Sequence, residues 1–136
     1  MNKVYLVVGV PGSGKSWVCS QLKESFYHVP HDSHIGSDYP GLIKELSGLV
    51  QSKPILAETP FSVSQFTDIL SNVETVYVLD RYEVVLERYK AREGKAPAPG
   101  DRTRQETYRK RARESGSFSG TSQEVLDYLK GKASGK

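Results

Sequence analysis

Residues 4–8, Val4-Tyr5-Leu6-Val7-Val8, are apolar without alternation. That is the pattern of a strand covered on both faces, and it predicts the central strand of a sheet. Beyond it, short apolar runs alternate with stretches at helical spacing. Residues 15–25 read as a helix that sets Trp17, Val18 and Leu22 against the sheet. A second strand is expected at 26–29, closed by Pro30, because the residue before a proline is held extended. Leu42, Ile43, Leu46, Leu49 and Val50 recur at helical spacing over 40–51, and 54–57 reads as a third strand. Ser62 can cap a helix carrying Val63, Phe66, Ile69 and Leu70 that ends near Asn72, and 75–79 is a fourth strand. A helix over 82–92 follows. Residues 93–100 hold two glycines and two prolines and cannot continue it. Asp101 or Thr103 opens another helix to about 114, 115–120 reads as a flexible loop, and Thr121 or Ser122 caps a last helix with Val125, Leu126, Tyr128 and Leu129. Strands and helices in this alternation predict an α/β fold with a four- or five-stranded parallel sheet flanked by helices. The expected organisation is one domain over 1–130, a short basic lid at about 92–102 and a flexible tail at 131–136. No clear fifth strand shows after the lid.

Between the first strand and the first helix stands Gly9-Val10-Pro11-Gly12-Ser13-Gly14-Lys15-Ser16. This is the P-loop pattern, G-x-x-x-x-G-K-[ST], in the strand-to-helix setting that gives it meaning. The glycines let successive backbone N–H groups turn inward as an anion nest, and the helix that follows aims the positive end of its dipole at the same point. Gly9, Gly12, Ser13, Gly14, Lys15 and Ser16 are therefore expected to bind ATP or another nucleoside triphosphate. In that role Lys15 reaches the β- and γ-phosphates and the Ser16 hydroxyl sits on Mg²⁺.

Composition narrows this little further. The chain has 136 residues, 37% hydrophobic and 26% charged, as expected of a globular domain. No apolar run approaches the roughly 20 residues of a membrane-spanning helix, so no membrane partner and a cytoplasmic location are expected. Cys19 is the single cysteine, and its helix position suits core packing. Charge matters more through its distribution. From 88 to 113 arginines and lysines crowd together against only Glu93, Asp101 and Glu106, a local net charge of about +7. Such a segment faces either phosphates or solvent.

In an open parallel sheet, ligands bind at the carboxyl ends of the strands, and three acidic residues fall there. Asp32 follows the second strand and is the candidate general base. Its flanking His28, His31 and His34 are individually more typical of surface or packing roles, and the His31-Asp32-Ser33 order is not a triad because sequence neighbours seldom converge. Glu58 ends the third strand, the setting of an acid that holds Mg²⁺. Asp80 ends the fourth and could equally pair with Arg81 or Lys15. Arg88 and Arg92, four apart on one helix, share a face and could neutralise charge on a polyphosphate, or form salt bridges with Glu87 or Glu93.

Taken together, the P-loop, Asp32, Glu58-Thr59-Pro60-Phe61 and Leu86-Glu87-Arg88-Tyr89-Lys90-Ala91-Arg92 before a lid with Lys95-Ala96-Pro97 resemble the kinase domain of bacteriophage polynucleotide kinases. These lie within the adenylate-kinase-like group of P-loop kinases. Pro60 stands where that family has asparagine, and His31 where it has another polar or acidic residue. The resemblance implies a P-loop kinase fold using ATP and Mg²⁺, with Lys15, Asp32, Arg88 and Arg92 catalytic, Asp32 as the base, and Ser16 and Glu58 at the metal. It implies γ-phosphoryl transfer to a 5′-hydroxyl of a single-stranded or end-exposed nucleic acid gripped by segment 88–113, in the host cytoplasm if the chain is phage-encoded. Nucleoside or nucleoside monophosphate kinase activity, or nucleotide binding without transfer, are the alternatives.

Overall fold

In the computed structural model, which describes residues 3–10, 12–30, 38–49, 53–59, 63–97 and 100–135, strand β1 (Val4–Val8) is buried along its whole length. The unalternated apolar run has the physical cause expected of it, since helices cover both faces. The other strands are β2 (Tyr27–Val29), β3 (Ile55–Thr59), β4 (Val73–Val78) and β5 (Phe118–Gly120). They form one sheet in the order β2-β3-β1-β4-β5, with every pairing parallel. The sheet is thus five-stranded. Residues 118–120, expected to be loop, are its last strand, paired through Val76 with Phe118 and Val78 with Gly120.

Among the described residues six helices connect and cover these strands: α1 (Lys15–Ser20), α2 (Tyr39–Ser47), α3 (Ser64–Thr67), α4 (Tyr82–Glu93), α5 (Gly100–Ser115) and α6 (Ser122–Gly135). Even-numbered β1 residues Val4, Leu6 and Val8 pack with Ile43 of α2, Phe66 of α3, Val85 of α4 and Tyr108 and Ala112 of α5. On the other face Tyr5 and Val7 pack with Val18 and Cys19 of α1 and Val125, Leu126 and Leu129 of α6. The alternation of side chains along a strand divides the core into these two layers.

Several boundaries depart from the sequence expectation. Helix α1 stops at Ser20 and turns replace its last part. Trp17, expected against the sheet, is 45% exposed. Helix α2 ends at Ser47 and leaves Leu49 exposed, and α3 is a single turn. Helix α4 runs to Glu93 and α5 begins at Gly100, so both ends of the anticipated lid at 92–102 are helical. Helix α6 continues to Gly135, through most of the expected tail. Its start is a capping box: the Glu124 N–H donates to Thr121 Oγ1 and the Thr121 N–H to Glu124 Oε1. Thr121 is therefore the cap, and Ser122 is released for another role. Among the described residues no helix is long and apolar enough to cross a membrane.

Candidate functional site

The loop from Gly9 to Gly14 leaves the carboxyl end of β1 and turns tightly enough that Gly12 and Gly14 adopt φ of 87° and 100°, a region that side chains with a Cβ rarely enter. At Gly9 the need is space, because a Cβ would meet Ser13 Oγ at 2.3 Å. Behind the loop lie the Val85 carbonyl and Tyr89 of α4, the Arg88 guanidinium and Ser122 of α6. Helix α1 has only six residues. The turned N–H groups and Lys15 therefore supply most of the local positive potential.

Glu58, at the end of β3, is 3% exposed and lies beside this loop. Ser16 Oγ donates to its Oε1 at 3.1 Å, and His28 Nε2 donates to its Oε2 at 2.9 Å. Burial alone would raise the Glu58 carboxyl. The hydrogen bond and electrostatic attraction of His28, the charge of Lys15 and the Ser16 hydroxyl outweigh burial and hold it below its ordinary value. Glu58 is consequently an anion at neutral pH. Its backbone is fixed as well, since the Glu58 N–H donates to the Tyr39 hydroxyl and that hydroxyl donates to the Val29 carbonyl. Tyr39 thereby ties α2 to β2 and β3. Tyr39→Phe is expected to leave two buried backbone groups short of a partner and to lower unfolding free energy by about 1–3 kcal/mol, read as a lower urea midpoint at constant m-value.

His28 is the site residue that sequence reading undervalued. The register pairs His28 with Leu56, so Glu58 is two residues further on the same face of the adjacent strand. No linear pattern shows that β2 and β3 are neighbours.

Asp80 organises the opposite wall. It is 4% exposed, and its carboxylate accepts from Arg88 Nη1, the Ser122 N–H at 2.9 Å and Ser122 Oγ at 3.2 Å. Its carbonyl accepts from Gln105 Nε2 at 2.7 Å. Asp80 pairs with Arg88, a partner that the sequence did not suggest. Arg81 pairs with Glu83 instead. Arg88 Nη1 also donates to the Ser13 carbonyl at 3.1 Å, so this side chain props the P-loop from behind. Arg92 pairs with Glu93 at 2.9 Å and lies over the Tyr89 ring. Both arginines, with Gly12, Gly14, Lys15, Ser16 and Trp17, line a cleft of about 180 Å³. Asp32 lies outside the described residues, as do Pro11, His31, His34, Pro60 and Phe61.

The basic segment divides into two parts. Gln105 is bonded to the end of β4, and Tyr108, one turn on, packs against Tyr77. Helix α5 therefore descends along β4 away from the P-loop edge. Arg109, Lys110, Arg111 and Arg113 travel with it, while Arg92 lines the P-loop cleft and Arg102 lies over the Tyr82 ring at the start of α4. A larger cleft of about 460 Å³ opens at the amino end of β4, but its Lys3 and Lys132 already face Glu74, at 3.5 and 3.9 Å.

The donors at the P-loop suit Mg²⁺ with a triphosphate: a hydroxyl and a carboxylate are hard oxygen ligands, and Lys15 and the turned amides complement phosphate. No family model matches the chain. A Thermoplasma volcanium protein named "Putative adenylate kinase" is 31% identical over 83 residues, covering 59% of this chain and 54% of that protein. The chain thus matches about half the length of that relative. Shikimate kinase from Aquifex aeolicus superposes with a TM-score of 0.56 at 21% identity, covering 98% of this chain and 99% of the other. Shikimate kinase from Acinetobacter baumannii, solved with shikimate, gives 0.58 at 17%, covering 96% and 92%. The five-stranded parallel sheet, its flanking helices and these superpositions make the architecture the P-loop kinase fold.

Proposed function

We propose that this chain transfers the γ-phosphoryl group of a nucleoside triphosphate to a small acceptor of the nucleoside or nucleoside monophosphate class. The observation that carries the reading is the contact of Ser16 Oγ with Glu58 Oε1 beside Lys15, at the carboxyl edge of the sheet. Mg²⁺, when bound, neutralises charge on the β- and γ-phosphates. Ser16 and Glu58 would hold it. Lys15 binds the phosphates, the turned amides of the loop orient them, and Arg88 keeps the loop in place through the Ser13 carbonyl. Arg92, at the cleft and on the helix before the 94–99 break, is the arginine best placed to reach phosphates from the lid side. Asp32 serves as base where the acceptor is a hydroxyl. The small acceptor is supported by the course of α5, which leads Arg109, Lys110, Arg111 and Arg113 away from the site, and by the partial sequence match to the Thermoplasma protein.

The second reading is transfer to a 5′-hydroxyl nucleic acid end. It is favoured by the exposure of Arg92 at the P-loop cleft and of Arg102 beside Tyr82, where they could meet a backbone.

A screen of labelled ATP with nucleosides, nucleoside monophosphates and 5′-hydroxyl oligonucleotides tests both. ATP binding with no transfer to any of them would leave only a nucleotide-binding module. Asp32→Asn then separates acceptor chemistries: a hydroxyl acceptor should lose about 10²–10⁴-fold in turnover, whereas a monophosphate, already nucleophilic, should keep near-normal turnover. Glu58→Gln is expected to raise the Mg²⁺ concentration needed for half-maximal nucleotide binding by about tenfold or more. An unchanged Mg²⁺ dependence would remove Glu58 from the metal site.

A further inference from the structure

Glu58 has neighbours that magnesium chemistry leaves unused. The Cys19 thiol, a His28 ring nitrogen and a Glu58 carboxylate oxygen all lie within 4.8 Å of one another. They come from three elements, α1, β2 and β3. Cys19 is three residues beyond Ser16, so the two share a face of α1; Ser16 Oγ donates to Glu58, and the Cys19 sulfur lies within 4.8 Å of a Glu58 carboxylate oxygen. Cys19 is fully buried and the His28 side chain is 11% exposed. Magnesium takes oxygen donors and has no use for a thiol or an imidazole. One sulfur, one nitrogen and one oxygen converging on a point is instead the donor set of zinc and its chemical neighbours, with bonds of about 2.0–2.3 Å and a fourth position left to water.

We propose that Cys19, His28 and Glu58 form a binding site for a soft divalent cation of the zinc class, and that filling it withdraws Glu58 from the Mg²⁺-nucleotide site. The second half rests on the reading of Glu58 given above; the first stands without it. On binding, the Cys19 thiol gives its proton to solvent, the His28–Glu58 hydrogen bond breaks and the proton on His28 Nε2 passes to solvent or to Nδ1, which frees the Nε2 lone pair and the carboxylate oxygen to turn to the metal. Entry is from the Ser16 side, where that residue is exposed. The consequence is inhibition by trace zinc-class metal that excess Mg²⁺ does not relieve, because Mg²⁺ competes poorly for sulfur and nitrogen donors.

The test uses the full chain, freed of metal and kept reduced, titrated with Co²⁺ as a spectroscopic probe and then with Zn²⁺ in competition. The expected result is a thiolate-to-cobalt absorption with tetrahedral ligand-field bands. It should vanish in Cys19→Ser, weaken about tenfold or more in His28→Gln, and persist in Lys15→Ala and in excess Mg²⁺. In parallel, Zn²⁺ should suppress Mg²⁺-dependent binding of a fluorescent ATP analogue to the native chain and leave it intact in Cys19→Ser. Should Cys19→Ser melt at a much lower temperature, Cys19→Ala carries the comparison. Absence of the thiolate band, or its survival in both cysteine variants, overturns the site. A cysteine-dependent band with nucleotide binding indifferent to Zn²⁺ overturns the competition. Failure of the metal-free native chain to bind nucleotide overturns the kinase reading, while a cysteine-dependent band in that same chain upholds the site.

Discussion

Replacing Lys15 with alanine is expected to reduce phosphoryl transfer by about 10²–10³-fold, the effect of removing one preorganised charge from a site where negative charge must be held. The loss should appear in nucleotide affinity as well as in turnover, since Lys15 meets the phosphates before and during transfer. The side chain stands beside Glu58, and its charge helps keep that carboxylate ionised. Removing it therefore weakens both partners of the triphosphate. Fold stability should change little, because Lys15 is half-buried at a loop mouth and contributes nothing to either core layer. Calorimetric titration with ATP and Mg²⁺, alongside a thermal melt, separates the two outcomes. Native-like affinity in a folded Lys15→Ala chain would overturn the assignment of this loop as the triphosphate seat. Lys15→Arg should not restore activity, because the planar guanidinium cannot replace a compact ammonium inside a tight nest.

Asp80→Ala should have the largest effect on stability, about 3–5 kcal/mol. Its carboxylate accepts the Ser122 N–H at the start of α6 and a cationic nitrogen of Arg88, and both are left without it in one step. The Ser122 N–H is buried, so losing its acceptor carries a desolvation cost. Arg88 is partly solvated, so its share of the cost is smaller. Urea denaturation should show a lower midpoint with an unchanged m-value. Asp80→Asn should recover part of the loss, since an amide oxygen can still accept the Ser122 N–H. A cost below about 1 kcal/mol would show that these contacts do not hold α4, α6 and the P-loop together. Where the variant remains folded, nucleotide affinity should also fall, because Arg88 reaches the Ser13 carbonyl from its anchor on Asp80.

The two sides of the site differ in how far they could be read from residues alone. Gly9-to-Ser16 was legible because its constraint is local: glycine at set spacings, a lysine and a hydroxyl between an apolar strand and a helix. Glu58 was legible for a similar reason, as an acid ending a hydrophobic run in a parallel sheet. The sequence expectation set Arg88 toward the P-loop, where it bonds the Ser13 carbonyl, but its tie to Asp80 was not legible. The two are eight apart across a turn, and Arg81, Glu87 and Glu93 were all closer in sequence. His28 was legible only as one of three histidines, and the strand register made it a partner of Glu58.

The amino-acid sequence by itself determined the alternation of strands and helices, the P-loop pattern and the concentration of positive charge after residue 88. Each depends on short-range rules, namely apolar periodicity, glycine geometry and composition. Only the tertiary structure decided that Phe118–Gly120 is a strand, because three residues with little hydrophobic pattern of their own gain that state by pairing with β4. It also decided that α5 carries Arg109 to Arg113 away from the P-loop edge, and that Cys19, His28 and Glu58 meet. These are contacts between segments far apart in the chain. Strand order and register select them, and no local pattern encodes either.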